Sequence, residues 1–375
     1  MADLQRRAGD SAPYLQERRR LGQHAFKLRP GGIEGLMSTR GTKRFDVLGL
    51  GCTAVDDLLY VPCFPAADEK VRVVGTARRF GGLTGAALVA ASRLGARCAY
   101  AGCLGTDAHS SYAAGHLDQE GIDISHAPRV PQGRVVHSIV VVGTDSGSRN
   151  VFFEGSGMIG AHETEPGTEV LRACRVLFID QWGMAGNLRA ARVVRSVGAA
   201  VVADFEDAGN PLFRKVLDLV DHLVLGERFA REITGERDAV GAARALWRAD
   251  RAAVIVTCGT RGCWSVSAES GLTAAHHPAL VVKATDTTGC GDVFHGAYAA
   301  SLAQGVTLEA RIRFASAAAA LKAREGEIPR LAEVQKLLGE QPDSVGARRA
   351  EKHRGIPEHC SPDLSDRKRK PSTKL

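Results

Sequence analysis

Short apolar runs alternate with longer segments of small and polar residues through most of the chain. The runs at residues 176–179, 200–204 and 222–225 have the length and composition of buried strands. The small-residue stretches between them have helical spacing. Strands that alternate with helices are typical of a parallel sheet with helices packed on both faces. The pattern therefore predicts an α/β fold with a doubly wound, mainly parallel sheet.

A second, smaller β-structure is predicted from a different pattern. Residues 133–155 contain two apolar runs around the polar segment Thr-Asp-Ser-Gly-Ser, which is typical of two strands joined by a turn. Residues 58–75 supply further strand-like sequence. We predict that these two segments form a small β-sheet beside the main one.

The distribution of charge separates a central domain from two basic ends. The formal net charge is +7, but residues 1–44 and 341–375 together contribute +10, so the segment between them is about −3. Residues 45–340 are therefore predicted to form one globular domain that does not favour nucleic acid. The two ends are polar and lack apolar periodicity, and we predict that they are disordered. Met37 is a candidate alternative start, which would make residues 1–36 an upstream extension.

Neither a membrane segment nor a secretion signal is recognisable in the sequence. No apolar run reaches the length of about 18 residues that spans a bilayer. The nine cysteines are scattered, without a Cys-x-x-Cys pair or a zinc-like histidine spacing, which argues against structural zinc and a disulfide framework. A reducing compartment suits these cysteines, and we expect a cytoplasmic protein without a membrane partner.

The strongest chemical signal is a glycine-rich turn followed by an acid, between a strand-like run at residues 280–282 and a helix-like run at residues 293–302. Unpaired N–H groups in the first turn of a helix, with the positive end of the helix dipole, stabilise a phosphoryl group. Asp292 would lie beside this anion hole, where a carboxylate can take the proton of an attacking hydroxyl group. The sequence therefore predicts phosphoryl transfer to an alcohol. The motif is Asp286-Thr287-Thr288-Gly289-Cys290-Gly291-Asp292.

Two motifs closely resemble the signatures of the PfkB, or ribokinase-like, carbohydrate kinases. The segment from Asp286 to Phe294 resembles the family pattern Asp-Thr-x-Gly-Ala-Gly-Asp-x-Phe, with Cys290 in place of the usual Ala. Gly81 and Gly82, followed by a helix of small residues, resemble the N-terminal signature. The resemblance implies a ribokinase-like fold in which the small β-sheet is a lid over the sugar, and a homodimer formed through that lid.

The resemblance implies ATP and Mg²⁺ as cofactors and assigns roles to individual residues. Asp292 would be the general base, and the anion hole would be formed by Gly289, Cys290 and Gly291. The residues that bind the sugar would be Asp56, Gly81, Gly82 and Thr84. The residues that bind the nucleotide would be Thr257, Gly259, Gly262 and Ser316. The chain departs from the family at Ala86, where an Asn often contacts the sugar.

The metal-binding residues match the family less closely. Of the family motif Asn-x-x-Glu, only Glu227 remains as a carboxylate that could hold Mg²⁺ through water, and an exposed acid at a helix start is the alternative. Asp286 and the Thr288 carbonyl resemble part of a monovalent-cation site, which implies activation by K⁺. A thiol at a helix N-terminus can be nucleophilic, so Cys290 is either a reactive cysteine or an inert substitute for Ala.

The expected function is ATP-dependent phosphorylation of a sugar hydroxyl group. The run Gly-Asp-Val-Phe-His-Gly that begins at Gly291 resembles the subgroup that contains sulfofructose and ketohexose kinases. A neutral ketose or related sugar is the first expectation, and a nucleoside or sugar-phosphate kinase of the same family is the alternative. The incomplete Asn-x-x-Glu motif also leaves open a different class, a non-catalytic sugar-binding regulatory protein.

Overall fold

The computed structural model describes residues 43–270 and 273–340. The strands are β1 Phe45–Leu50, β2 Ala54–Val61, β3 Gly75–Gly81, β4 Cys98–Tyr100, β5 Gly102–Cys103, β6 Val136–Gly143, β7 Arg149–Glu154, β8 Gly160–Ala161, β9 Cys174–Ile179, β10 Ala200–Ala203, β11 His222–Gly226, β12 Ala253–Thr257, β13 Cys263–Ser267 and β14 Ala275–His277. The helices are α1 Leu83–Arg93, α2 Ala108–Gln119, α3 Thr168–Arg172, α4 Met184–Ser196, α5 Phe213–Leu217, α6 Glu227–Thr234, α7 Ala239–Leu246, α8 Cys290–Ala303, α9 Leu308–Glu325 and α10 Leu331–Glu340. The Met37 hypothesis and nearly all of the predicted disorder concern residues 1–42 and 341–375, which lie outside the described residues.

Eight strands form the main sheet, in the order β14-β13-β12-β11-β10-β9-β1-β4. The six strands from β12 to β4 are parallel to one another. At the other edge, β13 is antiparallel to β12, and β14 is antiparallel to β13. The predicted mainly parallel sheet is confirmed, and the three apolar runs read as strands lie in β9, β10 and β11.

Alternate side chains of the parallel strands enter two hydrophobic cores on opposite faces of the main sheet. Val47 and Phe178 belong to the core that also contains apolar residues of α1, α8 and α9. Leu48 and Leu177 belong to the other core, with residues of α4, α6 and α7. Burial on both faces explains why these strands are continuous apolar runs in the sequence rather than alternating ones.

The small sheet has four strands, in the order β3-β2-β6-β7. The strand pair predicted within residues 133–155 is confirmed as β6 and β7, which are antiparallel. The other segment was placed wrongly, because β2 covers Ala54–Val61 and β3 covers Gly75–Gly81 rather than residues 58–75. Strand β2 begins soon after β1 ends, so its first residues lie at the carboxyl end of the main sheet.

The loop before α8 also differs from the prediction. Residues 280–282 form no strand, and the side chain of Val281 is 96% exposed. The chain leaves the sheet after β14, so this apolar triplet lies in a loop instead of a core. No helix in the described part of the chain is long and apolar enough to cross a membrane.

Candidate active site

The acid of the glycine-rich motif lies in the first turn of α8. Gly289 is the N-cap residue and has the left-handed conformation, with φ of 75°. This conformation favours glycine, and a Cβ atom there would lie 3.6 Å from Asp292 Oδ2. The first-turn amide groups have no carbonyl partner within the helix. Asp292 therefore lies in the first turn of a helix, as the sequence predicts, and the amide groups of such a turn are suited to an anion.

Two further acids lie close to Asp292. Asp180 follows β9 and Asp204 follows β10, and these two strands are parallel neighbours, so both acids lie at the same edge of the sheet. Burial, together with the charges of Asp204, Glu206 and Asp180, raises the pKa of Asp292 to about 8, although His295 lowers it. The site thus contains a carboxyl group that can take up a proton near neutral pH.

The carboxylate of Asp180 is held by three donors. Its Oδ2 accepts hydrogen bonds from the Cys52 amide and the Thr84 hydroxyl group, both over 2.8 Å. Its Oδ1 accepts one from the Trp182 amide over 2.8 Å. Burial nevertheless raises the pKa of Asp180 to about 6. Asp180 was not among the predicted site residues, although it directly follows the strand-like run at residues 176–179.

Asp204 is paired with a buried histidine. Its Oδ2 lies 3.3 Å from His295 Nδ1, and both residues are less than 10% exposed. Burial raises the pKa of Asp204 well above the usual range for a carboxyl group, and the charges of Glu206 and Asp180 add to this effect. Asp204 was not among the predicted site residues, although it ends the strand-like run at residues 200–204.

Two of the predicted sugar-binding residues lie side by side at the base of the small sheet. A Cβ atom on Gly81 would lie 2.9 Å from Asp56 Oδ2. The side chain of Asp56 is partly exposed, and burial raises its pKa although a hydrogen bond with Ser138 lowers it. Gly82 is the N-cap residue of α1 with φ of 89°, and a Cβ atom there would lie 2.6 Å from the Thr53 backbone. No larger residue fits at Gly82 without moving the chain.

The prediction for Thr84 needs correction. Thr84 is completely buried, and its hydroxyl group donates to Asp180. A hydroxyl group in this position is not open to a sugar, so Thr84 positions Asp180 instead of contacting a substrate.

The predicted nucleotide-binding turn follows β12. Thr257 ends the strand, and its hydroxyl group donates to the Leu225 carbonyl over 3.3 Å. Gly259 begins a short 3₁₀ helix that ends at Arg261, and the turn closes with a hydrogen bond from the Cys258 amide to the Gly262 carbonyl. Ser316 lies on α9 with its side chain half-buried.

The predicted magnesium ligand, Glu227, already has an ion-pair partner. Glu227, the first residue of α6, forms an ion pair with Arg261. The pairing arises because β11 and β12 are parallel neighbours, which brings the residues after each strand together. The carboxylate predicted to hold Mg²⁺ through water is therefore ion-paired in the structure.

The predicted monovalent-cation site does not fit an added cation. Asp286 Oδ2 lies 3.2 Å from Arg79 and 3.6 Å from the Lys322 ammonium group. Asp286 Oδ1 accepts a hydrogen bond from the Thr288 amide. Two cationic side chains thus already surround this carboxylate. The position of Lys322 was not predicted.

The hypothesis of a reactive Cys290 is also opposed by its surroundings. Burial raises the pKa of the Cys290 thiol, and the charge of Lys322 lowers it only in part. The thiol form is therefore favoured at neutral pH, which agrees with the alternative that Cys290 replaces Ala as a small, inert residue.

Sequence comparison finds relatives among sugar kinases. The family model described as "pfkB family carbohydrate kinase" matches residues 50–328. The ribokinase of Haemophilus influenzae is 27% identical over 304 residues, which cover 77% of this chain and 97% of the ribokinase. Fructokinase-1 of Oryza sativa is 26% identical over 291 residues, which cover 69% of this chain and 88% of the fructokinase.

Solved structures show the same fold. The ribokinase of Thermotoga maritima superposes with a TM-score of 0.69 at 22% identity, covering 79% of this chain and 99% of the ribokinase. The ribokinase of Arabidopsis thaliana, solved with ribose and ATP, gives a TM-score of 0.68 at 22% identity, covering 78% of this chain and 98% of the ribokinase.

Proposed function

Because the chain belongs to the PfkB family of carbohydrate kinases, we propose that it transfers the γ-phosphoryl group of ATP to a hydroxyl group of a neutral sugar, with Asp292 as the general base. The observation that carries this mechanism is the position of Asp292 in the first turn of α8, with its pKa raised to about 8. A base whose pKa lies near the working pH is the most effective proton acceptor.

The reaction requires one proton transfer and one displacement at phosphorus. The amide groups at Gly289 and Gly291 bind the transferred phosphoryl group, and the Cys290 amide, which donates to the Thr287 carbonyl over 3.3 Å in the structure, joins them by exchanging that partner for the phosphate. Asp292 accepts the proton of the sugar hydroxyl group while the new oxygen–phosphorus bond forms and the bond to ADP breaks. Thr257 and Gly259 contact the nucleotide, and the small sheet excludes water, which would otherwise act as the acceptor.

Magnesium, when bound, neutralises charge on the phosphates of ATP. Mg²⁺ prefers carboxylate and water oxygens. Glu206 is exposed, and its charge acts on both Asp204 and Asp292. We therefore propose Glu206, rather than the ion-paired Glu227, as the carboxylate that would hold the metal, directly or through water.

The charges around the site favour a neutral sugar. Asp180, Asp204 and Glu206 each act electrostatically on Asp292 and raise its pKa, and negative charge at this site disfavours a second phosphate or a sulfonate on the acceptor. Asp56, beside Gly81, is an acceptor for sugar hydroxyl groups. A neutral ketose or a related sugar remains our first candidate, with a nucleoside as the alternative and a sugar phosphate less favoured.

The outer strand of the small sheet suggests how two copies associate. On β7, Val151, Phe152 and Phe153 are 52%, 61% and 67% exposed. Exposed apolar patches of this kind mark contact surfaces. We propose that the protein forms a homodimer through this sheet. Phe152→Glu together with Phe153→Glu should yield monomer by sedimentation at a concentration at which the wild type is dimeric; a wild type that stays monomeric would contradict the proposal.

The experiment that tests the proposed function is a coupled ADP-release assay with Mg-ATP and a panel of ketoses, aldoses, nucleosides and acidic sugars. Asp292→Asn serves as the matched variant, because it keeps the shape of the side chain but cannot accept the proton. Its turnover should fall by about 10²–10⁴-fold. Turnover within a few-fold of wild type would reject Asp292 as the base. A sugar that raises the melting temperature without ADP release would instead favour a non-catalytic sugar-binding protein.

A further inference from the structure

Lys322 is a buried lysine beside the glycine turn of the active site. It lies in the last turn of α9, and only 9% of its side chain is exposed. Its ammonium group donates to the Gly326 carbonyl over 2.9 Å and lies 3.6 Å from Asp286 Oδ2. Burial of a charged amine is unfavourable unless oxygen partners compensate for the lost water. These partners, together with the negative end of the α9 dipole, make a position suited to one positive charge.

The segment that leads into the motif is docked on the same end of α9. The amide groups of Thr285 and Asp286 both donate to the Ala323 carbonyl, over 2.7 and 3.2 Å. The Thr285 hydroxyl group donates to the Arg324 carbonyl over 2.8 Å. The end of α9 therefore fixes where the active-site loop begins.

Asp286 connects this docked segment to the glycine turn at Gly289. Its Oδ1 accepts a hydrogen bond from the Thr288 amide over 2.9 Å, while its Oδ2 lies 3.6 Å from the buried Lys322 and 3.2 Å from the exposed Arg79. A Cβ atom on Gly289 would lie 3.9 Å from Lys322 Cε and 3.6 Å from Asp292 Oδ2. Lys322 and the catalytic acid thus flank the same glycine.

We infer that the Lys322 ammonium group supplies, from within the chain, the positive charge that a monovalent cation beside Asp286 would otherwise supply. A carboxylate and a helix-end carbonyl group are hard oxygen ligands of the kind that such a cation uses, and the Lys322 amine already contacts one of each, Asp286 Oδ2 and the Gly326 carbonyl. Lys322 is a positioning residue, because it acts on the turn through Asp286. The protein should therefore need no added K⁺. The expected independence of turnover from K⁺ rests on the proposed kinase function. The inference that the Lys322 ammonium group occupies the cation position beside Asp286 does not.

Two substitutions at Lys322 separate charge from volume. Lys322→Ala removes the charge and opens space for an ion, whereas Lys322→Met removes the charge but keeps most of the volume. Wild type and both variants would be compared in potassium chloride and in tetramethylammonium chloride at equal ionic strength, since tetramethylammonium is too large for the position. Lys215→Ala removes an exposed lysine on α5 and is the control. Turnover and the melting temperature without substrates would be measured for each protein.

Wild-type turnover should be the same in the two salts. Turnover of Lys322→Ala should fall on the order of tenfold in tetramethylammonium and recover in K⁺, which should also raise its melting temperature. Lys322→Met should be slow in both salts, and its melting temperature should not depend on K⁺. If Lys322→Ala does not fold, the turnover of Lys322→Met still tests whether the charge of Lys322 is needed. Activation of the wild type by K⁺, or wild-type behaviour of both variants in tetramethylammonium, would overturn the inference.

Failure of the proposed kinase function would be visible separately. In that case the wild type would release no ADP with any acceptor, but the melting temperatures would still decide whether Lys322 occupies a cation site. A Lys322→Ala protein whose melting temperature ignores K⁺ would then overturn the inference.

Discussion

The Asp204 carboxylate lies 3.3 Å from His295 Nδ1, and both side chains are nearly inaccessible to solvent. The imidazole also joins two elements, since its Nδ1 lies 2.7 Å from the Gly291 carbonyl oxygen in α8 and its Nε2 lies 2.9 Å from the Val224 carbonyl oxygen in β11. The two members of this pair act on Asp292 in opposite directions. After burial, the largest influence is Asp204, which raises the pKa of Asp292, whereas His295 lowers it.

Substitution of either partner should therefore shift the pH profile, and in opposite directions. Asp204→Asn removes the group that, after burial, most raises the pKa of Asp292, so Asp292 should lose its proton at lower pH, and the acidic limb of kcat/KM should move down by about one pH unit. His295→Gln should move the same limb up by a similar amount. The measurement is kcat/KM against pH for the best acceptor. Shifts in the same direction would contradict this electrostatic arrangement.

The raised pKa of Asp292 should also make stability depend on pH. Because its pKa is about 8 in the folded protein and about 3.9 in an unfolded chain, the folded state binds the proton more tightly. The stability that this proton provides is complete below about pH 3.9 and is lost as the pH rises through about 8. Asp292→Asn cannot ionise and should escape this loss.

The melting temperature of Asp292→Asn, measured without ligands, should therefore exceed that of the wild type by several degrees at about pH 9. The difference should be much smaller at about pH 5. A difference that is equal at both pH values would show that Asp292 ionises normally in the folded protein.

The Thr84 hydroxyl group should contribute to stability through Asp180. Thr84→Val keeps the shape of the side chain but removes a buried donor to the carboxylate. We expect a loss of about 1–3 kcal/mol in the free energy of unfolding, measured by urea denaturation. The matched variant Thr84→Ser keeps the donor and should lose less. A Thr84→Val variant as stable as the wild type would contradict a stabilising role of this hydrogen bond.

Both the backbone conformation and the close approach of Thr53 favour glycine at position 82. Gly82→Ala combines φ of 89° with a Cβ atom 2.6 Å from the Thr53 backbone. Gly121→Ala, at φ of 72° with no atom within 4 Å of its Cβ, isolates the conformational cost, which is about 1–2 kcal/mol. Urea denaturation should show a larger loss for Gly82→Ala, and a higher KM for the sugar only in that variant. Similar losses and an unchanged KM would contradict a close approach at Gly82.

Local sequence was sufficient for the parts of the site that lie within one motif. The glycine turn and Asp292 are adjacent in the chain, so the start of α8 could be predicted from residues 289–293 alone. The alternation of apolar runs and helical stretches predicted the parallel sheet, because strands buried on both faces need no polar alternation.

The remaining parts depend on contacts between distant segments. Asp180 meets Asp204 because β9 and β10 pair, and Glu227 meets Arg261 because β11 and β12 pair. Lys322 reaches Asp286 because the loop before α8 docks on the end of α9. None of these pairings has a local sequence signal, although an acid directly after each buried run would have identified Asp180 and Asp204.

The lengths of the edge strands bear on how the protein behaves when concentrated. Both edges of the main sheet are three-residue strands, β4 Cys98–Tyr100 and β14 Ala275–His277. Such short edges offer few free N–H and C=O groups to a strand of another molecule. The six-residue β7 is instead a longer edge with exposed aromatic side chains. Aggregation of folded protein that is not dimeric should therefore begin at β7, and the proposed homodimer, which covers that strand, should be more soluble.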